Sequence, residues 1–521
     1  MNILTIDIKV RSCISIKTNG IFAYAQNKST QAICLTVKKN QASPMVWLPP
    51  ELRRPEILSL TDDRLRQMLE EADIIQAFDV ITEFAIWKYT LCRLYPWFPK
   101  PPFKKLSCIA ARAAYIGMNF LPRNLIEELD IALDDLPIAI VDPRIFSSPN
   151  KKISTEALST LIKFSMNSVR TEEKIAEKII ELPPMEQEFW RTGLIMNDNG
   201  IFIPREIVVK QHEKLHRIND ELYEEFKAIT GISNPVNVDA VLSYFNKHGI
   251  PLKNLDNENV DLILRSLPNS RMRRVLEIRE LVAQNNPLRF ILLLSLMGED
   301  SRVRGLWEYH GNPSGAFRLK YLSNISDLDG LMAPEDGNVF RICRVPDLQH
   351  NVFSVAIDSP DMSQIMTARY LQDHCKTAVK FPGRTIYYGR LKISSFSSFL
   401  KIVLPSGRDL YLYKPELEDD RLFCQIKFDR SVQRKEITGS FIYNLLIDAM
   451  NRDVVMSYLM SINQYFFTSI LTTSHDIVTE NAISFEADDF FQDLISNTPS
   501  WLQGNFFSPV MCMSTIWNSE S

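Results

Sequence analysis

The sequence predicts an α/β protein of several domains, and three patterns along the chain carry this prediction. Apolar residues alternate over residues 399–412 around a Pro-Ser-Gly turn, which is typical of a β-hairpin, and a charged loop over residues 415–421 is expected to follow it. Apolar residues recur at close to helical spacing over residues 441–459, which predicts a long helix with one buried face. Residues 2–8 predict a buried strand at the start of the chain. With 521 residues, the chain is long enough for two to four domains.

Composition limits the class of protein without indicating an activity. The chain is 45% apolar and 23% charged, which is ordinary for a soluble globular protein. Its net charge of −4 excludes a globally cationic surface, although acidic outer faces can still enclose a local nucleic-acid cleft. The eight cysteines include no CxxC pair, so the sequence indicates neither a zinc site nor a disulfide framework. Reduced thiols of this kind favour a cytoplasmic protein.

Two further observations argue against export and membrane insertion. Asp7 follows the first apolar residues too soon for a signal peptide. The most apolar run, residues 290–297, is far too short to cross a bilayer. We therefore expect a cytoplasmic protein without membrane contact.

The N-terminal residues combine strand patterns with scattered carboxylates. Residues 21–25 and 32–37 are strand candidates in addition to the opening strand. Asp7 and Lys9 lie two residues apart, so on a strand their side chains point to the same side of the sheet. Glu83 lies within the run AFDVITEFAIW, and Glu172 ends the run FSMNSVRTE.

The C-terminal part of the chain carries short motifs in a characteristic order. LPSGR occupies residues 404–408, an Arg452-Asp453 pair lies in the predicted long helix, and His475-Asp476 precedes the strand pattern IVTE. This order resembles the palm of bacteriophage-type family A DNA polymerases. The N-terminal runs resemble the 3′–5′ exonuclease domain of the same polymerases, which has a ribonuclease-H-like fold.

The resemblance implies three parts. Residues 1–180 would form the ribonuclease-H-like exonuclease domain, residues 181–345 a helical thumb-like region, and residues 346–521 a truncated polymerase palm. The helical fingers module that the family carries within its palm is missing. A helix over residues 376–389 could imitate the nucleotide-binding helix of the fingers, but Pro382-Gly383 would break it at its centre.

The resemblance also implies a function. The family comprises DNA-directed DNA polymerases, which act in DNA replication with Mg²⁺, primer–template DNA and deoxynucleotides. For a phage or prophage protein of this kind we expect a monomer in the cytoplasm of a bacterial host cell.

The exonuclease motifs depart from the family at the positions that bind metal. Asp7 and Glu83 match two of the family's carboxylates and are the candidate catalytic residues and Mg²⁺ ligands. Lys9 and Ser168 replace the other two carboxylates, and Phe164 replaces the general-base tyrosine. At a distance of ~4 Å and an effective dielectric of ~20, an ammonium group repels a cation by roughly 4 kcal/mol per unit charge. The expected outcome is a structural domain with an inactive site.

The palm motifs are incomplete as well. Asp476, with His475 beside it, matches the aspartate of the palm hairpin and is the candidate catalytic and Mg²⁺-binding residue there. The family's other palm aspartate lies on a first strand, for which residues 351–357 are the nearest match. That match places Val352 at the aspartate position, so we expect impaired nucleotide addition.

Arginines within the matched motifs are the candidate DNA contacts. Arg302 and Arg304 lie in the run DSRVRGLWEYHG, and Arg452 belongs to the Arg-Asp pair. Guanidinium groups suit this role because their N–H groups match the geometry of phosphate oxygens.

Between these motifs the sequence predicts helices over residues 207–226, 238–247 and 272–283. His212 and His216 lie four residues apart on the first helix, a spacing that suits a metal. The sequence near them offers no third ligand, so a solvated helix face is the simpler interpretation.

Three functions therefore stay open. The resemblance implies a DNA polymerase, while the altered motifs favour a non-catalytic DNA-binding remnant or scaffold. A residual metal-dependent 3′–5′ exonuclease at Asp7 and Glu83 is the third possibility, and whether the chain is an enzyme is left open.

Overall fold

The computed structural model describes most of the chain and divides it into two units. It describes residues 1–118, 121–131, 144–250, 252, 254–256, 260, 265–266, 270–285, 287–321, 331, 338–344, 364–428, 431–464, 468–472, 476–481, 500–502 and 511–517. One unit comprises residues 1–202 and 296–521, and the other comprises residues 203–295. In the described ranges, no helix has both the length and the apolar character that a membrane span needs.

A five-stranded mixed sheet forms the N-terminal part of the first unit. Its strands are β1 (Ile3–Arg11), β2 (Gln31–Lys39), β3 (Met45–Trp47), β4 (Ile74–Ala77) and β5 (Leu106–Cys108). The spatial order β3-β2-β1-β4-β5 puts β1 at the centre, antiparallel to β2 and parallel to β4. Both faces of β1 are largely buried because helices pack on the sheet, although only one face is apolar throughout and the other carries Thr5, Asp7 and Lys9.

Nine helices of the described chain accompany this sheet and lead out of it. They are α1 (Ile16–Gln26), α2 (Asp62–Glu71), α3 (Val80–Ile86), α4 (Cys92–Leu94), α5 (Ile109–Tyr115), α6 (Pro122–Glu128), α7 (Arg144–Ser147), α8 (Thr155–Lys178) and α9 (Pro184–Asn199). Helix α8 packs on β1 and β2, and α3 packs on β1. Ser154 begins α8 as its N-cap and accepts a hydrogen bond from the N–H of Ala157.

The second unit is helical. Its helices are α10 (Arg205–Thr230), α11 (Val238–Lys247) and α12 (Arg271–Gln284), and α13 (Leu288–Leu296) ends at its boundary. Phe226, Val241, Phe245 and Val275 are buried together in its core. The three helices predicted from the sequence are therefore confirmed as α10, α11 and α12.

Three further sheets follow in the first unit. The short pairs are β6 (Ile201–Phe202) with β7 (Arg302–Val303), and β8 (Trp307–Glu308) with β9 (Arg318–Leu319). The third is an antiparallel sheet of four strands, which we call the palm-like sheet. Its first strand along the chain is β10 (Asn338–Arg344), and its other three strands come from the C-terminal part of the chain.

A six-stranded antiparallel sheet dominates the C-terminal part, in which helix α14 (Gln364–Lys380) precedes the first strand. Its strands follow one another in space as in sequence: β11 (Thr385–Tyr388), β12 (Leu391–Phe396), β13 (Phe399–Val403), β14 (Asp409–Glu418), β15 (Arg421–Phe428) and β16 (Ser431–Glu436). Helices α14 and α15 (Gly439–Gln464) bury its inner face, where Leu371, Ile393, Leu400 and Leu446 meet. The predicted hairpin and long helix are thereby confirmed, and α14 ends before Pro382-Gly383 as expected.

The remaining strands complete the palm-like sheet. They are β17 (Thr468–Thr472), β18 (Asp476–Asn481) and β19 (Met511–Trp517), and the order across the sheet is β17-β18-β10-β19.

Two local predictions were wrong. Residues 21–25 were a strand candidate, but they belong to α1, whose N-cap Ser15 accepts a hydrogen bond from the N–H of Lys17. A short apolar run does not by itself distinguish a strand from a helix. Residues 415–421 were predicted as a charged loop, but β14 continues to Glu418. Asp419 and Asp420 then form a tight turn with φ of 47° and 60°, the left-handed values that a two-residue hairpin needs.

The division into units also differs from the predicted boundaries at residues 180 and 345. The compact helical unit is residues 203–295, while α9 and the chain from residue 296 onward belong to the same unit as the N-terminal sheet. The reason is that α9 is held by long-range contacts to β17 and α15, which sequence composition near residue 180 does not reveal.

Candidate functional site

Three carboxylates surround the ammonium group of Lys9 beside the central strand of the N-terminal sheet. Asp7 and Lys9 lie on the same face of β1, and the Nζ of Lys9 is 2.7 Å from Oδ1 of Asp7. Glu83 from α3 and Glu172 from α8 are near enough that their charges act on Lys9. The Nζ of Lys9 also lies 5.2 Å from the ring centroid of Phe164.

Each carboxylate of this cluster is held by hydrogen bonds. The backbone N–H of Ile8 donates to Oε2 of Glu83 at 3.0 Å, and the N–H of Phe78 donates to Oε2 of Glu172 at 3.1 Å. The hydroxyl of Ser165 donates to Oδ2 of Asp7 at 2.5 Å. Both oxygens of Asp7 therefore have a partner already, one from Lys9 and one from Ser165.

Burial and charge shift the titration of this cluster in opposite directions. Burial raises the pKa of Glu83 and of Glu172 well above the ordinary glutamate value, and the neighbouring charge of Asp7 raises both further. Burial by itself would lower the pKa of Lys9, but the charge and hydrogen bond of Asp7, with smaller contributions from Glu83 and Glu172, raise it above the ordinary lysine value. Lys9 is therefore the positive charge that balances this acidic cluster.

A magnesium ion does not fit this arrangement. Mg²⁺ needs oxygen ligands in near-octahedral geometry, whereas Asp7 is committed to Lys9 and Ser165. Ser168, where the predicted resemblance implies a carboxylate, donates its hydroxyl to the backbone oxygen of Phe164. Among the described residues, no group of three or more His, Cys, Asp or Glu side chains is placed to hold a metal ion.

Restoring the two replaced carboxylates should create a metal site. In the double variant Lys9→Glu, Ser168→Asp we expect Mn²⁺ binding that the unmodified protein lacks, because the ammonium is removed and residue 168 lies one helical turn from Ser165 and from Glu172 on α8. Isothermal titration with Mn²⁺ measures this. The matched control is Ser159→Asp, which adds a carboxylate elsewhere on the same helix and should bind no Mn²⁺. Equal binding by the unmodified protein would show that Lys9 does not exclude the ion.

The palm-like sheet places the Asp476 strand beside β10. In this antiparallel pair Cys343 lies directly opposite Asp476. Strand β10 has the sequence NVFRICR, which contains no carboxylate. The first palm strand predicted at residues 351–357, with Val352, and the predicted His475 lie outside the described residues. Among the described residues, β10 is the strand that pairs with Asp476, and the predicted first palm strand stays a prediction.

The predicted DNA contact at Arg304 needs correction. Arg304 is only 8% exposed, and its guanidinium donates to both oxygens of Asp300 at 2.8 and 2.5 Å and to the backbone oxygen of Asp198 at 2.6 Å. Arg302 is half-buried and donates to the backbone oxygens of Asn199 and Gly200. The hydrogen bonds of these two arginines therefore connect β7 to the C-terminal end of α9.

The predicted DNA contact at Arg452 needs the same correction. Arg452 is 1% exposed and forms a bidentate ion pair with Glu186, at 2.6 and 2.7 Å. Its guanidinium also lies 4.0 Å from the ring centroid of Phe189 and 3.1 Å from Oδ1 of Asp453. A phosphate would have to displace a buried carboxylate to reach it.

The Arg452 pair is the centre of a larger buried network. Tyr309 donates its hydroxyl to Glu186 at 2.7 Å, and Arg408 of the LPSGR motif donates to Asp453 at 2.6 Å. Burial by itself would raise the pKa of Glu186, but the charge of Arg452 holds it well below the ordinary value. The motifs LPSGR, Arg-Asp and Tyr-His-Gly are thus joined by polar contacts inside the protein.

Comparison with known proteins identifies a relative in sequence. No protein-family model matches the chain. Over 343 residues it is 21% identical to the DNA polymerase of Bacillus phage SP02, a match that covers 60% of this chain and 49% of the relative. The chain spans about half the length of that curated relative.

A solved structure is similar to the chain in fold. The chain is similar to the POL domain of Pol1 from M. smegmatis, solved in complex with DNA primer-template and dNTP. The TM-score is 0.59 at 11% sequence identity, and the match covers 99% of this chain and 94% of that chain. The chain is thus similar in sequence to a phage DNA polymerase and similar in fold to a bacterial DNA polymerase domain. The predicted resemblance is confirmed, as is the mixed α/β fold.

In this polymerase-like protein, sequence reasoning overlooked two residues that matter to the candidate sites. Glu172 was noticed as the end of a motif, but its approach to Lys9 was not expected. Glu186 lies in a stretch that carried no functional prediction, although it binds Arg452. The pattern FSMNSVRTE held a signal for Glu172, because Ser165 and Glu172 are seven residues apart and so share one helix face.

Proposed function

We propose that this polymerase-like protein binds primer–template DNA but neither extends nor degrades it. The observation that carries the proposal is the register of the palm-like sheet, in which the residue opposite Asp476 is Cys343 on a strand without carboxylates. Nucleotide addition in this family uses two carboxylates that hold two metal ions, and each metal role is worth several kcal/mol of barrier. The DNA-binding part of the proposal is supported by the fold of the Pol1 domain, which was solved with primer-template.

We assign the N-terminal five-stranded sheet to an inactive, ribonuclease-H-like exonuclease domain. Support comes from its mixed sheet, whose central strand β1 carries Asp7 between α3 and α8. The contact of Lys9 with Asp7 supports the loss of activity, because the ammonium takes the place of a positive metal ion among the carboxylates.

The missing fingers module is also part of this proposal. Only residues 345–384, which include helix α14, separate β10 of the palm-like sheet from β11 of the six-stranded sheet. This connection is too short for a large helical module.

One observation favours a second candidate function. The charges of Asp7, Glu83 and Glu172 all act on Lys9, and carboxylates are the residue type that metal-assisted hydrolysis uses. A residual Mg²⁺-dependent 3′–5′ exonuclease would use Asp7 and Glu83 after displacing Lys9.

One assay tests these functions together. Purified protein is mixed with a labelled primer–template, Mg²⁺ and deoxynucleotides, and binding, extension and degradation are measured in the same samples. We expect a retarded complex whose primer length does not change, with identical results for Asp476→Ala and Asp7→Ala.

Each alternative has a distinct signature in this assay. Extension that Asp476→Ala abolishes would identify an active polymerase with a divergent site. Degradation that Asp7→Ala abolishes would identify the exonuclease. Absence of any retarded complex would contradict the DNA-binding proposal.

A further inference from the structure

The six-stranded sheet has one covered face and one partly open face. Leu391, Ile393, Leu400 and Ile402 point into the core beneath α14 and α15. Since side chains alternate along a strand, the residues between them point to the opposite face. Strand register then places Tyr387 beside Lys392 and Phe396 beside Phe399 on that outer face.

Aromatic rings are exposed on this outer face. Tyr387 is 66% exposed and Phe396 is 40% exposed. The ring of Phe396 lies 6.1 Å from Phe399 and 6.5 Å from Tyr411, so these three rings form a contiguous group, and Tyr387 lies on the same face beside Lys392. At the far end Tyr413 is buried close to Gly117, so the open part of the face is β11 to β13.

The same segment is strongly basic. Residues 384–403, which span β11 to β13, contain four lysines and arginines and no acidic residue, in a chain whose net charge is −4. Lys392 is exposed next to Tyr387, and Arg384 and Arg390 are exposed at the two ends of β11. Lys401 lies 5.8 Å from the ring centroid of Phe396 and forms an ion pair with Asp409 at 3.4 Å.

We infer that the outer face of β11–β13 binds single-stranded DNA. Unpaired bases have free π-faces that stack on exposed aromatic rings, while lysine and arginine side chains neutralise the phosphates between them. In duplex DNA the bases are stacked on one another, so only its phosphates could contact this surface and the aromatic rings would have no base to stack on. Charge complementarity and the alternation of rings with cations favour a single strand over an apolar protein partner.

This inference deepens the proposed function, on which it rests, by assigning a place to the unpaired template strand. It needs no metal ion and no catalytic residue. Stacking is tolerant of sequence, so we expect binding without marked base preference.

The test uses fluorescence anisotropy with an oligothymidylate of about 16 nucleotides and a blunt duplex of about the same length. Tyr387→Ala and Phe396→Ala should each weaken oligothymidylate binding by about fivefold or more and leave duplex binding unchanged. Lys392→Gln should reduce the salt slope for the oligothymidylate by roughly 0.7. Both aromatic residues are exposed, so these variants should fold normally, which circular dichroism verifies.

Tyr370→Ala is the matched control, because Tyr370 is an exposed aromatic residue on α14, across the sheet from the outer face. If the unmodified protein does not bind the oligothymidylate, or if Tyr370→Ala weakens binding as much as Tyr387→Ala, the inference is overturned. If the unmodified protein binds the oligothymidylate but does not bind the duplex, the proposed function is contradicted and the single-strand surface is still supported.

Discussion

Replacing Arg452 with methionine should lower the free energy of unfolding by roughly 3–5 kcal/mol. The substitution leaves Glu186 charged, 3% exposed and without its bidentate partner, and a buried unpaired charge is among the most destabilising changes a protein can undergo. Urea unfolding followed by circular dichroism measures the loss. DNA binding per folded molecule should not change, since Arg452 is inaccessible to a phosphate.

Two companion variants separate the ion pair from other effects. Arg66→Met removes an exposed arginine that pairs with Glu70 across one helical turn, and it should change stability by less than about 1 kcal/mol. Adding Glu186→Gln to Arg452→Met removes the unpaired charge but keeps an acceptor for the hydroxyl of Tyr309. We expect the double variant to regain a substantial part of the loss. A double variant as unstable as Arg452→Met would show that packing, not charge, explains the effect.

Replacing Lys9 with methionine should destabilise the N-terminal sheet more at neutral pH than at acidic pH. The variant leaves Asp7, Glu83 and Glu172 without their shared cation, at a cost of roughly 3 kcal/mol near pH 8. The pKa values of Glu83 and Glu172 are raised by burial, and losing Lys9, which lowers them, raises them further.

The direction of the pH dependence follows from proton binding. A glutamate whose pKa is higher in the folded protein than in the unfolded chain binds more protons when folded. Stability therefore falls as the pH rises from about 4.3, the unfolded value, through the folded pKa. The variant should be closest in stability to the unmodified protein at about pH 5 and furthest from it at about pH 8.

Unfolding midpoints in urea at about pH 5 and about pH 8 measure this difference. Lys17→Met is the control, because Lys17 is exposed on α1 outside the cluster. Lys9→Arg, which keeps the positive charge, should show the weaker pH dependence of the unmodified protein. A Lys9→Met variant equally destabilised at both pH values would contradict the role of Lys9 as counter-ion.

Several elements of the fold were predictable because their signals are local. Helix α11 covers the predicted residues 238–247 without a shift, and β13 and β14 form the predicted hairpin around Pro405-Ser406-Gly407. Periodicity and turn residues act within a few positions along the chain. The strand prediction for residues 21–25 was wrong because a run of five apolar residues fits a helix as well as a strand.

The candidate sites were less predictable, because an arginine can bind a DNA phosphate on the surface or form an ion pair inside the protein, and its sequence motif does not distinguish these roles. Arg452 and Arg304 were predicted to contact DNA from their motifs alone, yet both hold the protein together by ion pairs with acidic residues. Lys9 was expected to repel metal, and the structure adds the three carboxylates that it balances. Whether such a side chain is exposed or buried decides between these roles, and burial is known only once the chain is folded.

The sequence by itself determined the family resemblance, the hairpin at residues 399–412 and the helices α10, α11, α12 and α15. Through that resemblance it also predicted that Lys9 and Ser168 replace two exonuclease carboxylates. Only the tertiary structure decided which residues meet: Cys343 opposite Asp476, and Glu186 with Arg452 across 266 positions of the chain. The physical reason is that periodicity and turn signals are local properties, whereas these pairs exist only after distant segments have packed and excluded water between them.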